Sequence, residues 1–172
     1  AARWLVEAKN PVFVVGPEVA EDEAEKDILA LAEKLSVPVT DTEDDLYANF
    51  PTDHPLYWGQ MRALRYPRQV DLMIAFGEGF KRRTPQPGVT TVHVSHDPQI
   101  LGRVYPFDLT VASNVRLAIR DLSDAVDSLL TRDRISRMRP DRLPPATAYT
   151  TQLKASSDIA LKAFFDRSPL SW

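Results

Sequence analysis

Gly16-Pro17-Glu18 follows a short apolar run, at the place where the phosphate loop of a dinucleotide site would stand. Such a loop needs spaced glycines so that the backbone can close on a pyrophosphate. Only Gly16 is present, Pro17 removes an amide donor and Glu18 adds like-charge repulsion, so the residues favour a tight turn. Gly77-Glu78-Gly79 is a second turn of interest. Its glycines permit close approach and Lys81, Arg82 and Arg83 supply positive charge, while Glu78 opposes an anion. Nucleotide contact and a plain turn with a solvated basic loop both remain readings of that segment. His93-x-Ser95-x-Asp97 closes a strand-like run. It reads as a ribose or phosphate contact or, favoured, as a strand end capped by Asp97.

The other reactive residues form no constellation. His54, His93 and His96 are spaced too widely for a local metal-ligand pair, and Asp53-His54-Pro55 reads better as a structured loop than as an acid–base pair. Asp41, Glu43, Asp44 and Asp45 lack the spacing of a calcium loop and read as a solvated acidic loop. No serine stands in a nucleophile elbow. The absence of cysteine from the 172 residues excludes a disulfide scaffold, a thiolate metal site and a thiol nucleophile.

With 44% hydrophobic and 26% charged residues, the chain can bury the core of one globular domain. The net charge of −3 is uneven: from residue 132 onward eight Lys/Arg oppose four Asp, a net +4 that leaves −7 on the rest. A body at −7 repels phosphate backbones, so the basic tail (Arg142 within it) reads as a solvated connecting segment rather than a polyanion-binding arm. No apolar run approaches the roughly 18 residues of a membrane span, and Ala1-Ala2-Arg3-Trp4 shows no signal-peptide pattern. The expectation is a cytoplasmic protein with no nucleic-acid and no membrane partner.

The elements that must position these residues alternate between strand and helix. Strands are expected over Val12–Val15, from Val37, over Val70–Phe76, over Val89–Ser95 and over Leu109–Ala112. A short helix covers 2–9. A second covers about 22–35, with a stripe of Ala24, Ile28, Leu31, Ala32 and Leu35 and Asp22 as its N-cap. Residues 41–56 read as irregular, a helix follows from about Trp58 or Gly59 to Arg65, and Asp97-Pro98 opens a helical turn to Leu101. The last helix of the body runs from Val115 to Leu130, capped by Ser113 or Asn114. Arg139-Pro140 and Pro144-Pro145 read as a linker, and a further helix covers about 148–166. Continuous apolar strands alternating with helices imply a parallel, doubly wound, Rossmann-like α/β sheet covered on both faces.

The order of these pieces resembles a known family. Ala8-Lys9-Asn10-Pro11-Val12 running into Val15-Gly16 is similar to the opening of the central domain of thiamine-diphosphate-dependent enzymes, acetolactate synthase and benzoylformate decarboxylase among them. Leu31–Thr40, Phe50–Gly59, Val70–Gly77, Val92–Pro98, Leu101–Pro106 and Asp108-Leu109 follow in the family's order. The resemblance covers residues 1–130 and implies a six-stranded parallel sheet of the NAD/FAD-binding, DHS-like kind. It implies a domain at 1–131, then a linker with a helix at 132–172 leading towards an absent C-terminal cofactor-binding domain.

The resemblance further implies a parent enzyme, a transferase or lyase acting on 2-oxo acids as a homodimer or homotetramer. Its thiamine diphosphate and Mg2+ are held by the flanking catalytic domains, and this domain is a non-catalytic brace between them. Some family members bind FAD or another nucleotide in the middle domain. Carried onto this chain, the corresponding positions are Gly16, Gly59, Gly77, Gly79 and Asp97, a vestigial nucleotide site. Where FAD-binding members carry more glycines and an Arg, this chain has Pro17-Glu18 and Glu78-Gly79, which implies loss of FAD. The alternative reading is a free-standing module that binds FAD, ADP or CoA.

Overall fold

The computed structural model describes residues 1–41, 47–60, 70–78 and 87–166. Six strands form one all-parallel sheet: β1 (Pro11–Val15), β2 (Val39–Asp41), β3 (Tyr57–Gln60), β4 (Leu72–Phe76), β5 (Thr90–Ser95) and β6 (Leu109–Ala112). Their order is β3-β2-β1-β4-β5-β6, with winding reversed between β1 and β4. The helices are α1 (Ala2–Glu7), α2 (Glu18–Glu21), α3 (Glu25–Leu35), α4 (Val115–Leu129) and α5 (Arg132–Asp166).

β1 and β4 are buried at every position, as central parallel strands covered on both faces must be. Their register places Phe13 beside Ile74 and Val15 beside Phe76, and the rings of Phe13 and Phe76 meet edge to face at 5.6 Å. The α3 stripe of Ile28, Leu31, Ala32 and Leu35 is buried as its spacing requires. The helix ends on Ser36 in the left-handed conformation (φ 52°), whose N–H returns to the carbonyls of Ala32 and Glu33. Lys34 ties α3 to α4 through Asp127 (2.8 Å) and Ser123 (2.8 Å). At the opposite flank Asp71 accepts the N–H groups of Lys9 (2.7 Å) and Asn10 (2.9 Å), fixing the turn into β1.

Four expectations change. The helix expected over 22–35 begins only at Glu25, as α3, behind a separate short helix α2; and Asp22 does not cap α3, whose N-cap is Ala24. Asp22 instead accepts the Val115 N–H at 2.6 Å, at the start of α4. The positive end of one helix outcompetes the other for the same carboxylate, a choice that local spacing does not encode. The helix expected from Trp58 or Gly59 begins as strand β3, paired with β2 at Val39–Tyr57 and Asp41–Gln60. A four-residue aromatic run carries too little periodicity to separate strand from helix. The rest of that helix, 61–65, lies outside the described residues. Residues 98–102 form hydrogen-bonded turn rather than helix.

The fourth change is the largest. The segment expected as linker is helical throughout, with Pro140, Pro144 and Pro145 inside α5. Each proline removes one donor from the helix ladder, and contacts with the body supply the compensation. Arg142, expected in a solvated tail, is 6% exposed. Its guanidinium donates to the carbonyls of Leu5 (3.0 Å) and Ala8 at the end of α1, and of Leu35 (3.3 Å) at the end of α3. Burial pushes its pKa down to about 10, against the pull of Asp71, so it stays charged at neutral pH. Trp58 donates its indole N–H to Ala146 O at 3.0 Å and packs edge-on against Tyr149. Asn114 caps α4 as expected, accepting the Leu117 N–H at 3.1 Å.

Removing the guanidinium orphans carbonyls at two helix ends. Arg142→Met should lower the unfolding free energy by about 2–4 kcal/mol, read as a lower urea midpoint at unchanged slope. An unchanged midpoint would mean that α5 is not anchored through this residue.

Candidate functional site

Open α/β sheets take ligands in the crevice beyond the carboxyl ends of their strands, where the winding reverses. That point lies between β1 and β4, and the first residue past each strand is a glycine. Gly16 donates to Phe76 O (2.9 Å) and Gly77 to Val94 O (2.8 Å), so both turns begin as extensions of the sheet. The turns then meet each other. A Cβ on Gly16 would collide with the carbonyl oxygen of Gly77 and lie 2.8 Å from its carbon and 2.9 Å from Glu78 Cα. Gly77 has φ +65°, and a Cβ there would collide with Glu18 Cβ. Glycine is required at both positions by the approach of one turn to the other, with no gap left for a ligand between them.

Glu18, the first residue of α2, is 6% exposed. Its Oε1 accepts the hydroxyl of Ser95 at 2.6 Å and its Oε2 the backbone N–H of His96 at 2.8 Å. The His96 ring approaches from the side, with Nδ1 3.7 Å from Glu18 Oε2, 3.3 Å from Asp22 Oδ1, and Nε2 3.9 Å from Glu21 Oε2. Partial burial disfavours the imidazolium, but Glu18, Asp22 and Glu21 outweigh it and hold the His96 pKa above the ordinary histidine value. The network therefore joins the β1–α2 turn, the end of β5 and, through Asp22 and Val115, the start of α4.

Two more acids stand at neighbouring strand ends. Asp41 closes β2, is 8% exposed and accepts from Asn49 at 3.1 Å. Glu78 follows Gly77 and is likewise 8% exposed. Buried acidic side chains thus follow or end β1, β2 and β4.

The sequence-nominated residues are only partly brought together. Gly16 and Gly77 touch across the switch point. Asp97 lies two residues past Ser95, where its Oδ1 accepts the Gln99 N–H at 2.8 Å and its own N–H donates to Ser95 Oγ at 2.9 Å. It serves its own turn. Gly59 lies on the edge strand β3, separated from β4 by β2 and β1. Gly79, the Lys81–Arg83 cluster, Glu43, Asp44 and Asp45 lie outside the described residues. His93 is buried against Phe107, with ring centroids 4.6 Å apart. Burial pulls its pKa below the ordinary value against a hydrogen bond with the Glu78 backbone. His54 is held by Glu33 at 3.2 Å and by the Leu56 N–H. The parts sequence reasoning missed are Ser95 and His96 as donors to Glu18; the only signal was an acid two residues past a strand glycine.

This parallel sheet, with its reversed winding between β1 and β4, defines a Rossmann-like domain. Residues 1–122 match the family described as thiamine pyrophosphate enzyme, central domain, and the chain belongs to that family. It is 30% identical over 146 residues to a sulfoacetaldehyde acetyltransferase of Castellaniella defragrans, covering 75% of this chain and 24% of that protein. It is 26% identical over 167 residues to the acetolactate synthase large subunit of Corynebacterium glutamicum, covering 90% of this chain and 25% of that protein. The crystal structure of benzoylformate decarboxylase from Polynucleobacter necessarius superposes with a TM-score of 0.67 at 25% identity, covering 73% of this chain and 26% of that one. The chain spans about a quarter of the length of these relatives.

Among the described residues, no arrangement fits either group tied to the family. Among the described residues no cluster of three or more His, Asp or Glu is arranged to hold a metal. For FAD or another nucleotide, the turn glycines are used against each other and the donors at the end of β5 are taken by Glu18. Among the described residues no helix is long and apolar enough to cross a membrane.

Because the folded His96 pKa is raised, its network adds stability that is fully present below the unfolded value of about 6.5. That increment fades as the pH rises through the folded value. His96→Gln should therefore lose more thermal stability at pH 5.5 than at pH 8.5, within about half a pH unit of those settings. An equal loss at both would show that the imidazolium is not what the carboxylates hold.

Proposed function

We propose that this chain is the non-catalytic middle domain of a thiamine-diphosphate- and Mg2+-dependent enzyme acting on 2-oxo acids. The parent is an acetolactate-synthase-like carboligase (a transferase) or a decarboxylase (a lyase), working in the cytoplasm as a homodimer or homotetramer. The supporting observation is the pairing of a family match over the whole sheet with a switch point closed by the protein's own turns. Thiamine diphosphate, when bound by the flanking domains, supplies the electron sink for breaking or making the bond beside the keto group.

The work of this chain is mechanical. Residues 1–131 brace the catalytic domains, and residues 132–172 lead on towards the cofactor-binding domain. On α5, Ile159 and Leu161 are 71% and 58% exposed, apolar surface of the kind a neighbouring domain covers.

The 172-residue chain supplied with thiamine diphosphate, Mg2+ and pyruvate or benzoylformate should release no carbon dioxide above the protein-free rate. Calorimetry with FAD and CoA should show no heat of binding. Turnover by the isolated chain would overturn the non-catalytic assignment, and specific nucleotide binding would favour a free-standing module instead. In the longer enzyme, Ile159→Glu with Leu161→Glu should weaken activity by loosening domain docking. The same pair should change the stability of the isolated chain by less than about 1 kcal/mol, since both residues are exposed.

A further inference from the structure

We propose that Ser95 and His96 form an oxyanion seat whose resident occupant is Glu18, and that this internal carboxylate bars phosphorylated ligands from the switch point. The inference concerns this chain's own residues and holds whatever reaction the parent enzyme performs.

The donors at the end of β5 are the kind that recognise a phosphoryl or carboxylate group: a hydroxyl and a backbone N–H facing the same point, with an imidazole beside them. Each oxygen of Glu18 has its own donor, Oε1 from Ser95 at 2.6 Å and Oε2 from His96 N–H at 2.8 Å. The His96 ring adds an ion pair rather than a third hydrogen bond, with Nδ1 3.7 Å from Oε2 and hydrogen-bonded to Asp22 at 3.3 Å. A two-oxygen anion engaged by two independent donors is how a bound oxyanion is held, and Glu18 delivers it from within the chain. The side chain is 6% exposed, so the seat is filled and covered together.

The surroundings reinforce the exclusion. Glu21 and Asp22 on the α2 side and Glu78 beyond β4 add negative charge around the seat. A second anion entering beside Glu18 would meet the carboxylates of Glu21 and Asp22. The contact between Gly16 and Gly77 also closes the backbone approach that a pyrophosphate needs. One residue therefore does two jobs: it pins the β1–α2 turn to β5, and it occupies the Ser95 hydroxyl and the His96 N–H that a phosphate would use at this crevice.

The test vacates the seat and offers anions back. In the full chain, Glu18→Gly removes the carboxylate and Glu18→Gln keeps its shape without its charge. Thermal unfolding is followed in sodium formate, inorganic phosphate or ADP, each against sodium chloride at equal ionic strength. The wild type and Glu18→Gln should show no shift beyond the chloride control. Glu18→Gly should start with a lower midpoint that formate and phosphate raise by several degrees, as binding to the folded state requires. Adding Ser95→Ala to Glu18→Gly should abolish that rise. Should Glu18→Gly not fold in chloride, its refolding yield in formate is the readout, and recovery is expected. No anion effect on folding or yield overturns the proposal. So does a wild-type shift with phosphate or ADP that Glu18→Gly fails to enlarge.

Discussion

The contact on which the rest depends is the one between the turns that leave β1 and β4. In a doubly wound sheet these turns diverge, because the crossovers that follow run to opposite sides. Here Gly16 and Gly77 let them touch, and Glu18 spans from one turn to the end of β5. A carboxylate buried this deeply is costly unless every oxygen is satisfied. The two short hydrogen bonds from Ser95 and His96 meet that requirement and make the position of α2 definite. Asp22, the residue that ends the same short helix, then reaches the start of α4 and sets where that helix begins.

The amino-terminal side of the sheet is secured by the opposite charge. Arg142 places its guanidinium among carbonyls at the ends of α1 and α3, where helix dipoles favour a cation and the last carbonyls lack partners. The two tie points follow one electrostatic logic. An anion meets free N–H and O–H donors at one side, and a cation meets free carbonyls at the other. Between them the sheet is apolar throughout its central strands. A body braced in this way suits a domain whose role is to hold neighbours in place.

The parallel sheet is that of the thiamine pyrophosphate enzyme central domain family, to which the chain belongs. This chain places acids after β1 and β4 and at the end of β2, while the same strand ends keep the parallel geometry of the fold. Fold and ligand are separable because the sheet depends on the apolar interior of each strand. The ligand depends on only a few residues beyond the strand ends.

The sequence by itself determined the parallel sheet, the α4 stripe with its Asn114 cap, and the glycines at the turns. These rest on short-range patterns: continuous apolar runs, a 3.6-residue period and conformational freedom at particular backbone points. Through Pro17 and Glu18 it also set the expectation that phosphate is disfavoured after β1. What only the tertiary structure decided is which partner each polar group found. Glu18 lies 77 residues from Ser95, Asp22 93 from Val115, and Arg142 137 from Leu5. The same long-range contacts turned a proline-bearing segment into helix and a short aromatic run into an edge strand. A charged side chain's burial depends on donors and acceptors brought together by the completed fold, and no local spacing records where those will be.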